Sequence, residues 1–282
     1  MRATATTDFR HLLLAGPDFS LASVDPHSTP GFDGGKEQGK AALAAGAGAL
    51  SSLQEQLFAE SRSGSEIAVL LVLQGMDTSG KGGIVRHVLG LVDPQGVHHH
   101  AFKAPTEEER QHDFLWRIRR QLPGAGLIGV FDRSHYEDVL VHRVRGLSSP
   151  AEIEERYAAV QQFEADVVAS GTRLLKVMLH IGKDEQKARL TQRLERPDKY
   201  WKYNPGDIDD RVHWQQYQEA YQVAIERTST PDAPWYVVPA DRKWYARLAV
   251  QHLLTAALED MQLSWPRASF DVDVEKRRLA AT

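Results

Sequence analysis

The residues with the clearest capacity for chemistry lie in the run Leu71-Val-Leu-Gln-Gly75-Met-Asp77-Thr-Ser-Gly80-Lys81-Gly82-Gly83. Gly75 and the Gly80-Lys81 pair have the spacing of a phosphate-binding loop. Glycines let the chain bend until several N–H groups converge on one phosphate, and the helix that follows adds its N-terminal dipole. Gly75, Gly80, Gly82 and Gly83 are therefore the phosphate-binding glycines, and Lys81 supplies a full charge to a transferring phosphoryl group. Gly82 stands where such loops normally place the Ser or Thr that ligates Mg²⁺, which points to carboxylates as the metal's ligands instead. Asp77 is the first candidate. An acid inside an anion-binding loop repels its own ligand unless a cation lies between them. The plainer reading is a glycine-rich turn, which leaves the acid and the lysine without a purpose.

A second carboxylate follows an apolar run: Leu127-Ile-Gly-Val-Phe131-Asp132-Arg133-Ser134. Ligands of open parallel sheets bind at the carboxyl ends of strands, which would set Asp132 beside the loop as a second metal ligand. Arg133 is then a phosphate clamp, because a guanidinium matches phosphate oxygens two at a time. The plain alternative for Asp132 is a helix N-cap.

Further on, Arg189, Arg193, Arg196, Lys199 and Lys202 recur every three or four residues, interleaved with Tyr200, Trp201 and Tyr203. On a helix all five would share one face, where like charges repel. A solvated face is the ordinary explanation for such a run. With Pro197 interrupting the helix, a mobile lid over a long anion fits better. Lys103 follows a candidate strand and can face the same site, whereas Arg117, Arg119 and Arg120 can simply coat a helix.

These residues need elements to position them. Residues 67–73 form a continuous apolar run rich in Val and Ile, the pattern of a strand covered on both faces. Further strands are expected at 97–103, 127–131, 173–181 and 235–238. Helices are expected at 36–62, from about residue 80, and at 107–122, 135–145, 152–169, 184–193, 211–228 and 241–261. Strands alternating with helices predict βαβ units and a parallel sheet, an α/β fold. Residues 1–34 read as an irregular arm lying on or off the body. Residues 35–262 read as the main domain with its lid at about 189–211, and 263–282 as a loosely attached tail. Asp241 is expected to cap its helix and Trp244 to be core or interface. The triplet His98-His99-His100 should splay across a strand rather than ligate metal.

Composition narrows the classes. With 34 Lys and Arg against 38 Asp and Glu the net charge is −4, so no overall basic field points to nucleic acid, and positive charge for a polyanion must be local. There is no cysteine, which removes disulfides and thiolate metal sites and suits a reducing compartment. The longest apolar run is far too short to span a bilayer, and residues 1–10 lack the apolar core of a secretory signal. A cytoplasmic location without a membrane partner is the expectation.

The motifs together resemble the polyphosphate kinase 2 family over roughly residues 20–265. Gly75-Met-Asp77-Thr-Ser-Gly80-Lys81-Gly82 is similar to that family's phosphate loop, which also lacks the hydroxyl. Asp132-Arg133-Ser134-His135-Tyr136-Glu137-Asp138 resembles its second motif, and Arg193 to Lys202 its lid. The resemblance implies a thymidylate-kinase-like P-loop fold and Mg²⁺-dependent phosphoryl transfer, with Mn²⁺ as a substitute, between polyphosphate and adenine nucleotides. It implies that Asp77 and Asp132 hold metal, and that Lys81, Arg133 and Arg193 stabilise phosphoryl oxygens. Arg196, Lys199, Lys202 and Lys103 would bind the anions, and a homodimer or homotetramer is expected. The 135–138 run looks like members that accept AMP and sometimes ADP, with Glu137 accepting a hydrogen bond from an adenine amino group. Its plainer role is as an acid in a first helical turn. An ATP-dependent nucleoside monophosphate kinase and a non-catalytic nucleotide-binding module are the competing readings.

Overall fold

The computed structural model describes residues 8–282; the leader reading of residues 1–7 lies outside them. Five strands, β1 (Ala68–Gln74), β2 (Val97–Ala101), β3 (Ile128–Asp132), β4 (Thr172–His180) and β5 (Trp235–Pro239), form one sheet in the order β2-β3-β1-β4-β5. Every pairing in it is parallel. Around it, in chain order, run α1 (Phe9–Leu13), α2 (Lys36–Ala45), α3 (Ala47–Ser61), α4 (Lys81–His87), α5 (Trp116–Arg119) and α6 (Glu137–Val144). There follow α7 (Pro150–Ala169), α8 (Lys183–Glu195), α9 (Gly206–Val212), α10 (Trp214–Thr228), α11 (Lys243–Glu259) and α12 (Val272–Ala280).

β1 is the central strand, buried at all seven positions, as its unbroken apolar run requires. Alternation sends Leu70 and Val72 into a core built with α6, α7 and α10, and Val69, Leu71 and Leu73 into a second core under α3, α4 and α11. The sheet is thus sealed on both faces, and its open chemistry is confined to the carboxyl ends of the strands.

Several expected elements take a different form. The helix at 36–62 is two, broken at Gly46, where Gln251 of α11 crowds so close that a Cβ would meet its Oε1 at 3.0 Å. The helix at 107–122 is only the single turn α5 preceded by turns. Thr106 and Glu109 cap each other, and Asp113 accepts from Leu115 N–H, so side chains take the backbone partners a helix would use. The helix at 211–228 is divided at His213 into α9 and α10. Asp241 does not cap α11: its carboxylate accepts from Gly182 N–H at 2.8 Å, tying β4's end to the loop after β5.

The arm lies on the body along the described part. Phe9, Leu13 and Leu21 are buried, Ala15 N–H donates to Trp235 O, and the Tyr245 hydroxyl donates to Pro30 O. Trp244 is set against Phe32 and over Gly39. The tail carries α12, none of whose residues is buried.

Candidate active site

β1 delivers its chain into a loop that only glycine could begin. Gly75 has φ 140°, and a Cβ there would stand 2.5 Å from Leu179 O. Gly80, at φ 118°, is the N-cap of α4, which Lys81 opens. Lys81 is nearly buried and turns back across the loop, its Nζ donating to Gly75 O at 2.7 Å. Thr78 takes φ 65°, costly for a β-branched residue.

Asp132 closes β3 in register with Leu73 of β1, and Arg133 N–H donates to Leu73 O at 3.0 Å. The second motif therefore begins one strand away from the phosphate loop. Arg133 also sits in the left-handed region, at φ 65°, and its Nη2 donates to Asp77 Oδ1 at 2.8 Å. Glu137 beside it, then Asp77, hold the guanidinium firmly in its charged form. Glu137 itself is pushed up by burial, with Arg133 and Lys81 opposing. It lies in the first turn of α6 among the phosphate-loop charges.

A cleft of about 930 Å³ opens over these groups. Asp77, Gly80, Lys81, Gly82, Gly83, Asp132 and Arg133 line it, as do Lys103 after β2 and the lid residues Arg193, Arg196, Lys199 and Lys202. Gly75 and Glu137 are not among the residues that line it. The lid is not one continuous helix: α8 ends at Glu195, Arg196 is extended, and 197–202 form a 3₁₀ turn. Its basic side chains still reach one cavity. Arg193 is held by Asp207 of α9 at 3.2 Å and by Lys202 O; Arg196 and Lys199 share Asp198; Lys202 lies over Trp201. Arg189 departs from the expected pattern, because it is buried and bonded inward to the protein. Arg117 is likewise buried, facing Asp138 at 3.5 Å and donating to Lys103 O.

Some lining residues stand outside the expected site. Arg86 on α4 and Lys243 and Arg247 on α11 line the cleft, and none forms an ion pair among the described residues. Burial depresses Lys243 and Arg247, and neighbouring cations depress both further. The i, i+4 spacing of Lys243 and Arg247 sets both on one helix face. Asp207 is nearly buried and pushed up to about 6 by desolvation first and by the charge of Asp77 second.

The donor set suits a small hard cation. Mg²⁺ binds through one or two carboxylates together with substrate phosphate oxygens, rather than in a full protein cage. Asp77 and Asp132 are the two carboxylates of that kind that line the cleft. Among the described residues no group of three or more His, Asp or Glu is arranged to ligate a metal, His98 to His100 included.

A parallel sheet with a glycine loop after its central strand, an acid at the end of the adjacent strand and a basic cover define a P-loop phosphotransferase. Comparison with known proteins makes the assignment narrower. Residues 34–266 match the polyphosphate kinase 2 (PPK2) family. The crystal structure of polyphosphate kinase 2 from Arthrobacter aurescens TC1 superposes with a TM-score of 0.97 at 56% identity, over 99% of either chain. An AMP/ADP-polyphosphate phosphotransferase of Meiothermus ruber is 45% identical over 88% of this chain and 92% of its own length. An ADP-polyphosphate phosphotransferase of Rhodopseudomonas palustris is 41% identical over 78% and 79%. The chain belongs to the polyphosphate kinase 2 family.

Proposed function

We propose that this protein transfers the terminal phosphoryl group of inorganic polyphosphate to AMP, ADP or both, reversibly and in one in-line step. A phosphate oxygen of the nucleotide attacks the terminal phosphorus, the P–O bond to the next phosphate breaks, and the shortened chain leaves with that oxygen. No covalent enzyme intermediate is needed, so the protein's task is to position and to neutralise. One observation carries this reading: a net-acidic chain concentrates eleven Lys and Arg side chains around one cleft, with Asp77 and Asp132 its only acids among the described lining residues.

Asp77 and Asp132 would hold Mg²⁺, for which Mn²⁺ can substitute, and the ion would neutralise charge on donor and acceptor oxygens. Lys81, Arg133 and Arg193 stabilise the transferring phosphoryl oxygens. Lys103, Arg196, Lys199 and Lys202, together with Arg86, Lys243 and Arg247, line the cleft and hold the anions in line. Arm, kinase body and tail, at 1–34, 35–262 and 263–282, with the lid at about 189–211, complete the arrangement. Exposed Trp201, Trp265 and Phe270 support a homodimer or homotetramer, since such apolar surface gains by burial. No described helix is long and apolar enough to cross a membrane, and a cytoplasmic location remains part of the reading.

The test is the donor. Purified protein with AMP or ADP, Mg²⁺ and polyphosphate, and no ATP, should yield the next higher phosphate on chromatography. Product from neither nucleotide defeats the reading, and AMP phosphorylation that requires ATP replaces it with a nucleoside monophosphate kinase.

A further inference from the structure

α8 meets the phosphate loop from behind. Gln186 Nε2 donates to Asp77 O at 3.2 Å, and Arg189 Nη1 donates to Thr78 O at 2.8 Å and to Ser79 O at 3.2 Å. Three consecutive loop carbonyls thus accept from one helix. The other Arg189 donors are committed too: Nη2 to Ala240 O and Asp241 O at 2.7 and 2.8 Å, and Nε to Glu185 Oε1 at 2.7 Å. Gln186 is fully buried and Arg189 only 6% exposed. Although Arg189 borders the cleft, its five N–H groups all point at protein, so its business is with the loop and not with a ligand.

In a trans peptide the N–H lies opposite the preceding carbonyl. Gripping Asp77 O and Ser79 O from the α8 side turns the Thr78 and Gly80 N–H groups the other way, while Ser79 N–H closes a turn on Met76 O. The same grip restrains Thr78 in its strained left-handed conformation. One turn further along α8, Arg193 lines the cleft. We propose that Gln186 and Arg189 are positioning residues for phosphoryl transfer. They fix the loop amides in their receiving orientation and yoke the loop to Arg193, so that lid and loop orient as one body around the transferring phosphate. The inference rests on the transfer reading above. A lysine cannot replace Arg189, since a single ammonium cannot reach four carbonyls set apart around a planar fork.

The test compares R189K, R189A and Q186L with K187Q, an exposed control on the same helix. R189K should lose about 10- to 100-fold in kcat, the cost of a small misplacement, while the KM for nucleotide moves far less. Low millimolar guanidinium should restore part of the kcat of R189A and nothing to R193A. Hydrogen exchange over residues 75–83 should quicken in R189K and Q186L, but not in K187Q. A wild-type kcat in R189K overturns the inference, as does failure of guanidinium to restore R189A with loop exchange unchanged. If the Arg189 variants do not fold, Q186L decides, and normal exchange together with normal kcat there overturns it. Should the wild-type protein fail to phosphorylate AMP or ADP from polyphosphate, the transfer reading falls and the exchange measurements alone decide the loop inference.

Discussion

The two sides of the Asp132–Asp138 segment handle charge in opposite ways. Behind it, His135 and Tyr136 enter a sealed network in which Glu164 accepts from the Tyr136 hydroxyl at 2.7 Å and from Lys176 Nζ at 2.6 Å. Lys176 also donates to Thr228 O, and Trp235 Nε1 to the Thr228 hydroxyl. Its one cation and one carboxylate compensate each other, and both are almost wholly buried. In front, Asp132 and Arg133 face a cleft where cations far outnumber acids and, among the described residues, Arg86, Lys243 and Arg247 have no carboxylate partner. Buried charge compensated within the fold is spent on structure, whereas charge left uncompensated at a cleft is held for an anion. The contrast assigns roles that residue type alone could not, since a lysine occurs on both sides.

The greatest loss is expected from uncoupling the rear pair. K176M strands the Glu164 carboxylate in the core and should cost about 3–5 kcal/mol of stability, read as a lowered urea midpoint. K176M combined with E164L should recover most of that loss; if it does not, the pair is not self-compensating. In front, K81A or D77N should leave the urea midpoint near wild type and lower kcat about 10²- to 10³-fold, the usual cost of removing one stabiliser of transition-state charge. Polyphosphate-driven ADP formation from AMP measures it.

Asp207 lies between the two regimes. Its carboxyl is raised from 3.8 to about 6, so the folded state holds this proton more tightly than the unfolded chain does. That contribution is fully present below pH 3.8 and is lost as pH rises through about 6, leaving a penalty at neutral pH. D207N should therefore stabilise the protein at pH 7.5 by on the order of 1–2 kcal/mol, with the advantage fading towards pH 4, as thermal unfolding at both pH values would show. The smallest effect is expected at the rim. R247A should raise the KM for polyphosphate modestly and reduce the log–log salt dependence of binding by about one. An unchanged slope would mean that Arg247 does not meet the chain.

Much of this was legible in the residues because the signals were local. The apolar run before Gly75 announces a doubly covered strand, and the glycine spacing announces the loop that follows. Strand ends at Asp132 and in β4 and β5 were visible for the same reason, being short runs bounded by polar residues. What stayed hidden depends on tertiary neighbours. Nothing around Asp207 distinguishes it from a helix-opening acid; only the fold sets it against Arg193 and near Asp77. Arg189 shares the spacing of the lid cations, yet its depth on α8 turns it into the loop. The expected helix at 107–122 failed because Thr106, Glu109 and Asp113 draw their partners from the backbone, a competition that periodicity does not register.

Lys81 is set in place before any ligand arrives. Its ammonium already rests on Gly75 O and is almost hidden from solvent, so much of its hydration has been stripped during folding. On the proposed reading, an arriving oxyanion would take over a contact by exchange, carbonyl for phosphate, and the protein would not have to dehydrate a bare ion at the moment of capture. The loop meets each new substrate already primed, and the strength of that first grip is the difference between two partners of one nitrogen.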